Sequence, residues 1–369
     1  MNENIERKDL RQWIIQAVAS GKDKHITSEA VQRFSISRQA VNREIRLMVR
    51  DGILLPTGNT RARQYRLATI AEVRHDFPMT PDLAEDTVWR LNVAAIVADL
   101  PPNIQLICQY GFTEMFNNVL DHSGSSIARI FAHRTAARVE ISVNDLGIGI
   151  FNKIQQERRL DDPRHAILEL SKGKLTTDPE RHTGEGVFFT SRMFDHFMIL
   201  SGNLSFVCSP EAGDWLLDLA DWGVEVKETG NEVIGTTVLM RISCFSERTT
   251  KQVMDMFAGE DQDFTFSRTH VPVRLARYGS EQLVSRSQAK RLLTRVNQFK
   301  EVLLDFEGVE TIGQAFADEV FRVFQNEHRS INLKVVRAND EVSAMITHVL
   351  AVNHPYLPGM EPRSDPEKQ

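Results

Sequence analysis

Three separated clusters carry side chains suited to nucleotide and phosphate chemistry. The first is Glu114-Met115-Phe116-Asn117-Asn118-Val119-Leu120-Asp121-His122, in a stretch of helical pattern. Glu114, Asn118 and Asp121 stand at i, i+4 and i+7, so a helix places them on one face. Glu114 is a carboxylate able to polarise a water or hydroxyl. Asn118 offers an amide oxygen, a hard ligand that Mg²⁺ accepts beside phosphates and waters. The second cluster, Val143-Asn144-Asp145-Leu146-Gly147-Ile148-Gly149-Ile150, follows a strand predicted over Arg138–Val143. Asp145 can accept an amino hydrogen, and Gly147 and Gly149 permit close backbone approach. The third, Thr183-Gly184-Glu185-Gly186-Val187-Phe188-Phe189, enters a helix predicted to run through Met193. Its amides and helix N-terminus suit phosphate oxygens. Thr236 and Thr237, in "GTTVLMRI", begin a later strand.

Taken in order, "ExxxNxxDH", "DxGxGI" and "TGEGV" resemble the N, G1 and G2 boxes of the GHKL ATPase fold, shared by gyrases, Hsp90-type chaperones, histidine kinases and mismatch-repair ATPases. The resemblance covers about 84–246. It implies an α/β sandwich that binds ATP and Mg²⁺. Asp145 would take the adenine amino group, Asn118 the Mg²⁺, and Gly184 and Gly186 the phosphates. Asp121, Gly147, Gly149, Thr236 and Thr237 would complete the nucleotide site. Residues 151–183 would be the ATP lid, with Lys172, Lys174, Arg181 and His182 as candidates to reach the γ-phosphate. Histidine kinases vary where Glu114 stands. A glutamate there resembles the hydrolysing members and the anti-sigma-factor serine kinases, in which it acts as the base.

These clusters need scaffolds, and the chain reads as three modules. Residues 1–67 alternate helical and extended patterns. Trp13, Ile14 and Val18 give one apolar helical face. A second helix starts near Thr27-Ser28, whose hydroxyls can cap it. Ser37 caps a third, Arg38–Arg50, with Val41, Ile45 and Met48 at helical spacing. Gly52 closes that helix, and Ile53-Leu54 and Gln64–Leu67 suggest a hairpin. The order resembles a winged helix-turn-helix. Arg38, Gln39, Asn42, Arg43 and Arg46 lie off the apolar stripe, and Arg, Asn and Gln suit bidentate contacts to base edges. Arg61 and Arg63 on the wing would meet phosphates or a minor groove. Charge agrees: residues 1–66 hold 13 Lys/Arg against 7 Asp/Glu, while the whole chain is −6. A basic module on an acidic body points to nucleic acid at one end.

Residues 68–83, with Pro78 and Pro81, read as a linker. His75-Asp76 is a poor match to a phospho-acceptor box, because Pro78 interrupts the helix such a box requires. Residues 247–263 read as a second linker containing a short helix.

The third module, about 264–350, alternates strands (Val271–Leu275, Val302–Phe306, Ile331–Val336) with helices (Ser285–Phe299, Ile312–Gln325, Asp340–Val352). That alternation suggests a small α/β sheet. "VLLDFEGVETIGQAFADEVFRVF" resembles STAS domains, and more closely the STAS-like domain DUF4325. STAS antagonists carry a phosphorylated serine at the start of the helix after this strand. Gly313, Gln314 and Ala315 stand there, and Thr311 is the nearest hydroxyl. Gln314, Asp318 and Glu319 form either an interaction surface or a complement to the helix dipole. Residues 351–369, with four prolines, read as a disordered tail.

Composition narrows the class. No stretch of about 18 apolar residues is present, so no membrane span is expected. The N-terminus lacks the apolar core of a signal peptide. Three scattered cysteines, Cys108, Cys208 and Cys244, fit a reducing cytoplasm and no disulfide or zinc framework. The expected fold is multidomain α+β and α/β: winged helix, GHKL sandwich, small STAS-like domain. The expected function is an ATP-binding, Mg²⁺-dependent, ATP-hydrolysing regulator that couples nucleotide state to DNA and partner binding, in a possible homodimer. Two alternatives stand beside it: a serine kinase of the anti-sigma type acting on a separate STAS protein, and a non-enzymatic scaffold.

Overall fold

A strand that the sequence conceals joins the N-terminal helices to the central sheet. The computed structural model describes residues 2–21, 25–58, 63–175, 184–210, 213–219, 235–259, 265–277 and 281–351. Helices α1 (Asn2–Ala19), α2 (Ile26–Phe34) and α3 (Arg38–Arg50) precede the antiparallel pair β1 (Leu54–Thr57) and β2 (Gln64–Leu67). Their shared core includes Ile14, Val18, Ala30, Val41, Ile45, Met48 and Leu54. The side chain of Ser37 caps α3 by accepting from Ala40 N at 3.2 Å. Thr27 and Ser28 do not cap α2, which starts at Ile26 with no side-chain cap. Thr27 Oγ1 instead donates to Asn42 Oδ1, and Ser28 Oγ to the His25 carbonyl. Glu44, buried on α3, accepts from Arg7 and Arg11 of α1, a tie that fixes the two helices together.

Residues 68–83 are not simply a linker. They contain β3 (Ala71–Pro78), an edge strand of a seven-stranded sheet. Pro78 is tolerated because it lies at the end of an edge strand, where no ladder N–H is needed. Asp76 pairs with Arg129 at 3.0 Å across that edge. The chain continues through α4 (Glu85–Val88), a π-helical turn at Trp89–Val93, α5 (Ala94–Val97), α6 (Pro102–His122), β4 (Ile127–Arg134), β5 (Arg138–Asp145), α7 (Ile150–Arg158), α8 (Arg164–Lys172), α9 (Gly186–Met193), β6 (His196–Ser201), β7 (Leu204–Ser209), β8 (Gly213–Asp218) and β9 (Thr237–Ser243). Strand order is β3-β4-β5-β9-β6-β7-β8, and the pairs are antiparallel. Residues Val139, Ile141 and Val143 on β5, and Val238, Met240 and Ile242 on β9, are buried. Helix α6 packs on β4, β5 and β9, and α9 on β6 and β7. Ala136, Ala137 and Phe245 pack against the N-terminal helical core, so the β4–β5 turn is continuous with it.

The chain divides into two units, 1–156 with 185–253, and 157–184 with 254–369. This departs from the expected modules: the segment that a single 84–246 module would contain at 157–184 belongs to the second unit. That unit also holds the C-terminal half of α10 (Thr250–Phe257), β10 (Arg268–Pro272), α11 (Arg286–Leu293), β11 (Glu301–Asp305), α12 (Gln314–Asp318), α13 (Gln325–Glu327), β12 (Asn332–Val336) and α14 (Asp340–Ala351). A π-helical turn, Glu319–Phe324, joins α12 to α13. The strand expected at Val271–Leu275 ends at Pro272, which lacks an N–H, and Val273–Ala276 is a 3₁₀ turn. The three strands are parallel in the order β10-β11-β12. Helix α8 packs on β10 and the 3₁₀ turn, with Ala166, Ile167, Leu168 and Leu170 buried.

Candidate nucleotide site

Asp145 ends β5, where the central sheet delivers it, buried, to a loop of glycines. Its Oδ1 accepts from Gly147 N at 2.8 Å, and its own N–H donates to the Thr236 carbonyl at 2.9 Å. Burial pushes this carboxyl above the ordinary aspartate range, and hydrogen bonds from Gly147 and Thr236 oppose that shift. A Cβ at position 147 would overlap the Ser123 carbonyl, so the loop can lie this close to the end of α6 only as glycine. The approach is fixed by Ile148 N donating to the Ser123 carbonyl at 3.1 Å and Leu146 N to Ser125 Oγ at 3.0 Å. Gly149 has φ +81°, a turn that starts α7, and Ile150 N then donates to Thr236 Oγ1 at 3.0 Å. Thr237 begins β9 and pairs in register with Asn144. Asp145, Gly147, Gly149, Thr236 and Thr237 are thus brought together at one end of the sheet.

Helix α6 presents Glu114, Asn118 and Asp121 at the expected spacing. Glu114 lies against the start of α9: a Cβ on Gly186 would overlap the Glu114 carboxylate. Asn118 is half-buried, with Nδ2 at 4.0 Å from Met115 Sδ, and Asp121 is exposed. Gly184 belongs to the second unit, where its carbonyl accepts from Leu175 N at 3.0 Å.

Several residues of this region carry no motif. Tyr110 stands one helical turn before Glu114. Burial raises its phenol above the ordinary range, and the charges of Glu114 and Glu185 add to the effect. Ser201 Oγ donates to the Gly235 carbonyl at 2.9 Å, and a Cβ on Gly235 would overlap the Asp145 carbonyl. Lys153 Nζ donates to the His122 carbonyl at 2.9 Å. The only sequence signal for these is the polar run "DHSGSS" after α6 and the i−4 position of Tyr110.

Of the lid candidates, Lys172 is corrected. Lys172 is fully buried, and its Nζ donates to Glu169 at 2.7 Å and to the carbonyls of Thr294 and Arg291. No γ-phosphate can reach an ammonium held there. Lys174 Nζ donates to the Gln298 carbonyl at 3.2 Å and lies over the rings of Phe266 and Phe299. Arg181 and His182 lie outside the described residues.

Arg38, Gln39, Asn42, Arg43 and Arg46 are all exposed on α3, and Arg63 is exposed beside β2. Arg61 lies outside the described residues, as do 352–369. In the second unit, Asp318 pairs with Arg322 and Arg286, and Glu319 lies 3.9 Å from Lys290. Both carboxylates of "QAFADE" therefore have partners within the chain. Cys108, Cys208 and Cys244 are free and buried.

Residues 288–343, from α11 into α14, match the family model of a STAS-like domain of unknown function, DUF4325. The matched stretch holds β11, α12, α13 and β12, with parts of α11 and α14; β10 and α8 lie outside it. No curated protein matches the chain. No helix among the described residues is long and apolar enough to cross a membrane.

Proposed function

We propose that the chain is an ATP-binding, Mg²⁺-dependent regulator that hydrolyses ATP and couples nucleotide state to DNA binding and to a protein partner. The observation that carries this reading is the buried Asp145 carboxylate beside a loop in which Gly147 has no room for a Cβ. A buried carboxylate with no cationic partner among the described residues suits an amino-group donor such as adenine, and its raised pKa marks the desolvation that such a contact would offset. Gly147 N and Thr236 hold the carboxylate in place, and a carboxylate so oriented would accept from the adenine amino group.

The glycines allow the loop to pack directly against the end of α6 and the Glu114 side chain, which would set backbone amides close to a bound nucleotide. Asn118, one turn from Glu114, would supply an amide oxygen to Mg²⁺, which would offset phosphate charge when bound. Glu114 would orient a water and accept its proton, with Tyr110 beside it. Gly186 N opens α9, whose N-terminus favours an anion. No covalent intermediate is needed, so the chain contributes positioning and charge.

The N-terminal module reads as a winged helix whose α3 enters a DNA groove. The exposed set Arg38, Gln39, Asn42, Arg43 and Arg46, in a region of net positive charge, supports that reading. In a homodimer, half-site spacing would respond to nucleotide.

Incubation with radiolabelled ATP and Mg²⁺ tests the proposal. Release of free phosphate, abolished in Glu114→Ala, supports hydrolysis. Label on an added STAS protein would move the function to a serine kinase. Neither product, with ATP still bound, would reduce it to a nucleotide-dependent scaffold.

A further inference from the structure

Helix α8 lies between the two glycine boxes in sequence, yet it is built into the STAS-like unit. Its Ala166, Ile167, Leu168 and Leu170 belong to that unit's core. Its polar side is fastened as firmly. Glu169 accepts from Lys172 at 2.7 Å and from Arg295 Nη1 at 2.8 Å. Lys172 caps the end of α11 through the Thr294 carbonyl at 2.8 Å. Arg295 Nη2 donates to the Gly173 carbonyl at 2.9 Å, and Thr269 Oγ1 on β10 donates to the Lys172 carbonyl at 2.7 Å. Removing one member of such a buried charge network leaves the others uncompensated, so α8 stays with α11 and β10 as one body.

The other end of the connection starts at the proposed nucleotide loop. Gly149 opens α7, and Ile150 N is held by Thr236, which also bonds Asp145. From the end of α7 only residues 159–163 lead to α8. Asp162 is tied to the start of α8: its Oδ1 accepts from Arg164 N at 2.8 Å, and its carbonyl accepts from His165 N at 3.1 Å.

We infer that α8 communicates nucleotide binding at the Asp145 loop to the STAS-like unit, so that the STAS-like domain is the regulated partner in cis of the ATP site. The inference rests on the ATP-binding reading above. It also implies the reverse: whatever binds the STAS-like unit changes ATP affinity by the same factor.

Hydrogen exchange on the full chain tests this, with and without Mg²⁺ and a non-hydrolysable ATP analogue, alongside calorimetry in the same solution. The expected result is slower exchange, by roughly tenfold or more, in 164–172 and in 286–305 together. Lys172→Met should keep nucleotide-induced protection of 186–193 and lose that of 286–305. If Lys172→Met does not fold, the wild-type comparison still decides. Heat of binding without any change in 286–305 overturns the coupling alone. Absence of binding overturns the ATP reading, and the coupling with it.

Discussion

The carboxylate of Glu114 on α6 and the backbone of Gly186 at the start of α9 occupy adjoining space, so closely that a Cβ on residue 186 would overlap Oε2. The two residues are 72 positions apart in sequence and come from two different boxes. Their contact sets a carboxylate beside a helix N-terminus, the arrangement that the proposed hydrolysis would use. It also makes Gly186 a handle on Glu114. The clash is with the far end of a flexible side chain, so Gly186→Ala should displace Glu114 at little cost to folding. ATP turnover should fall by roughly 10²-fold, while ATP affinity and melting temperature stay close to wild type. Glu114→Ala should fall at least as far in turnover, again with affinity kept. Unchanged turnover in both variants, measured by phosphate release, would make Glu114 a structural residue.

Asn118 should be read through Mg²⁺. Asn118→Ala should raise the Mg²⁺ concentration needed for half-maximal nucleotide binding by roughly tenfold, with little effect in the absence of the metal. A Mg²⁺ titration identical to wild type would remove Asn118 from the metal's coordination.

The DNA reading depends on an exposed face of α3. Arg43 and Arg46 are exposed there, opposite buried Val41, Ile45 and Met48. Replacing both arginines by alanine should weaken duplex binding without lowering the melting temperature. If they contact phosphates, affinity falls on every sequence and the salt slope drops by roughly one per residue. If they read bases, about 1–3 kcal/mol of discrimination is lost. Salt-dependent binding curves on specific and random duplexes separate the two. No duplex binding by the intact protein at low salt, with or without ATP, would end the DNA reading.

Local spacing made some of this legible in the sequence, and tertiary context hid the rest. The α3 stripe of Val41, Ile45 and Met48 and the cap at Ser37 could be read directly, because helical period and capping are local properties. So could the Asp145 loop, whose glycines are demanded by backbone approach. Strand β3 could not: exposed Arg74, His75 and Asp76 and the closing Pro78 read as a linker, and only pairing with β4 makes them a strand. The fate of Lys172 was equally hidden. A lysine after an amphipathic stretch reads as a solvated charge, and nothing near it in sequence announces Arg295, Thr294 and Arg291, more than a hundred residues away. Tyr110 shares its helix with Glu114, but no motif marks it.

His165 gives the second unit a pH dependence. Burial, and then the charge of Arg291, lower its pKa to about 4, below the ordinary value of 6.5. Folding therefore favours the neutral ring, and the unfolded chain takes up the proton first. Stability should be full above about pH 6.5, fall as pH drops toward 4, and lose no more from this group below that. The loss is roughly 1–2 kcal/mol once solvent screening is discounted. His165→Gln should flatten this step in denaturant unfolding followed between pH 7 and 4. A step of the same size in the variant would assign the effect elsewhere.

Titration calorimetry of ATP with Mg²⁺ into the intact protein and into Asp145→Asn tests the central claim most directly. The substitution keeps the size of the side chain but removes its charge and can present an amide N–H₂ to the adenine amino group. Wild type should bind one ATP per chain, and Asp145→Asn should bind about tenfold or more weaker, a loss of about 1–3 kcal/mol, with its unfolding transition unchanged. Equal affinity in the two proteins, or no heat of binding in the wild type, would contradict the assignment of Asp145 to an adenine site.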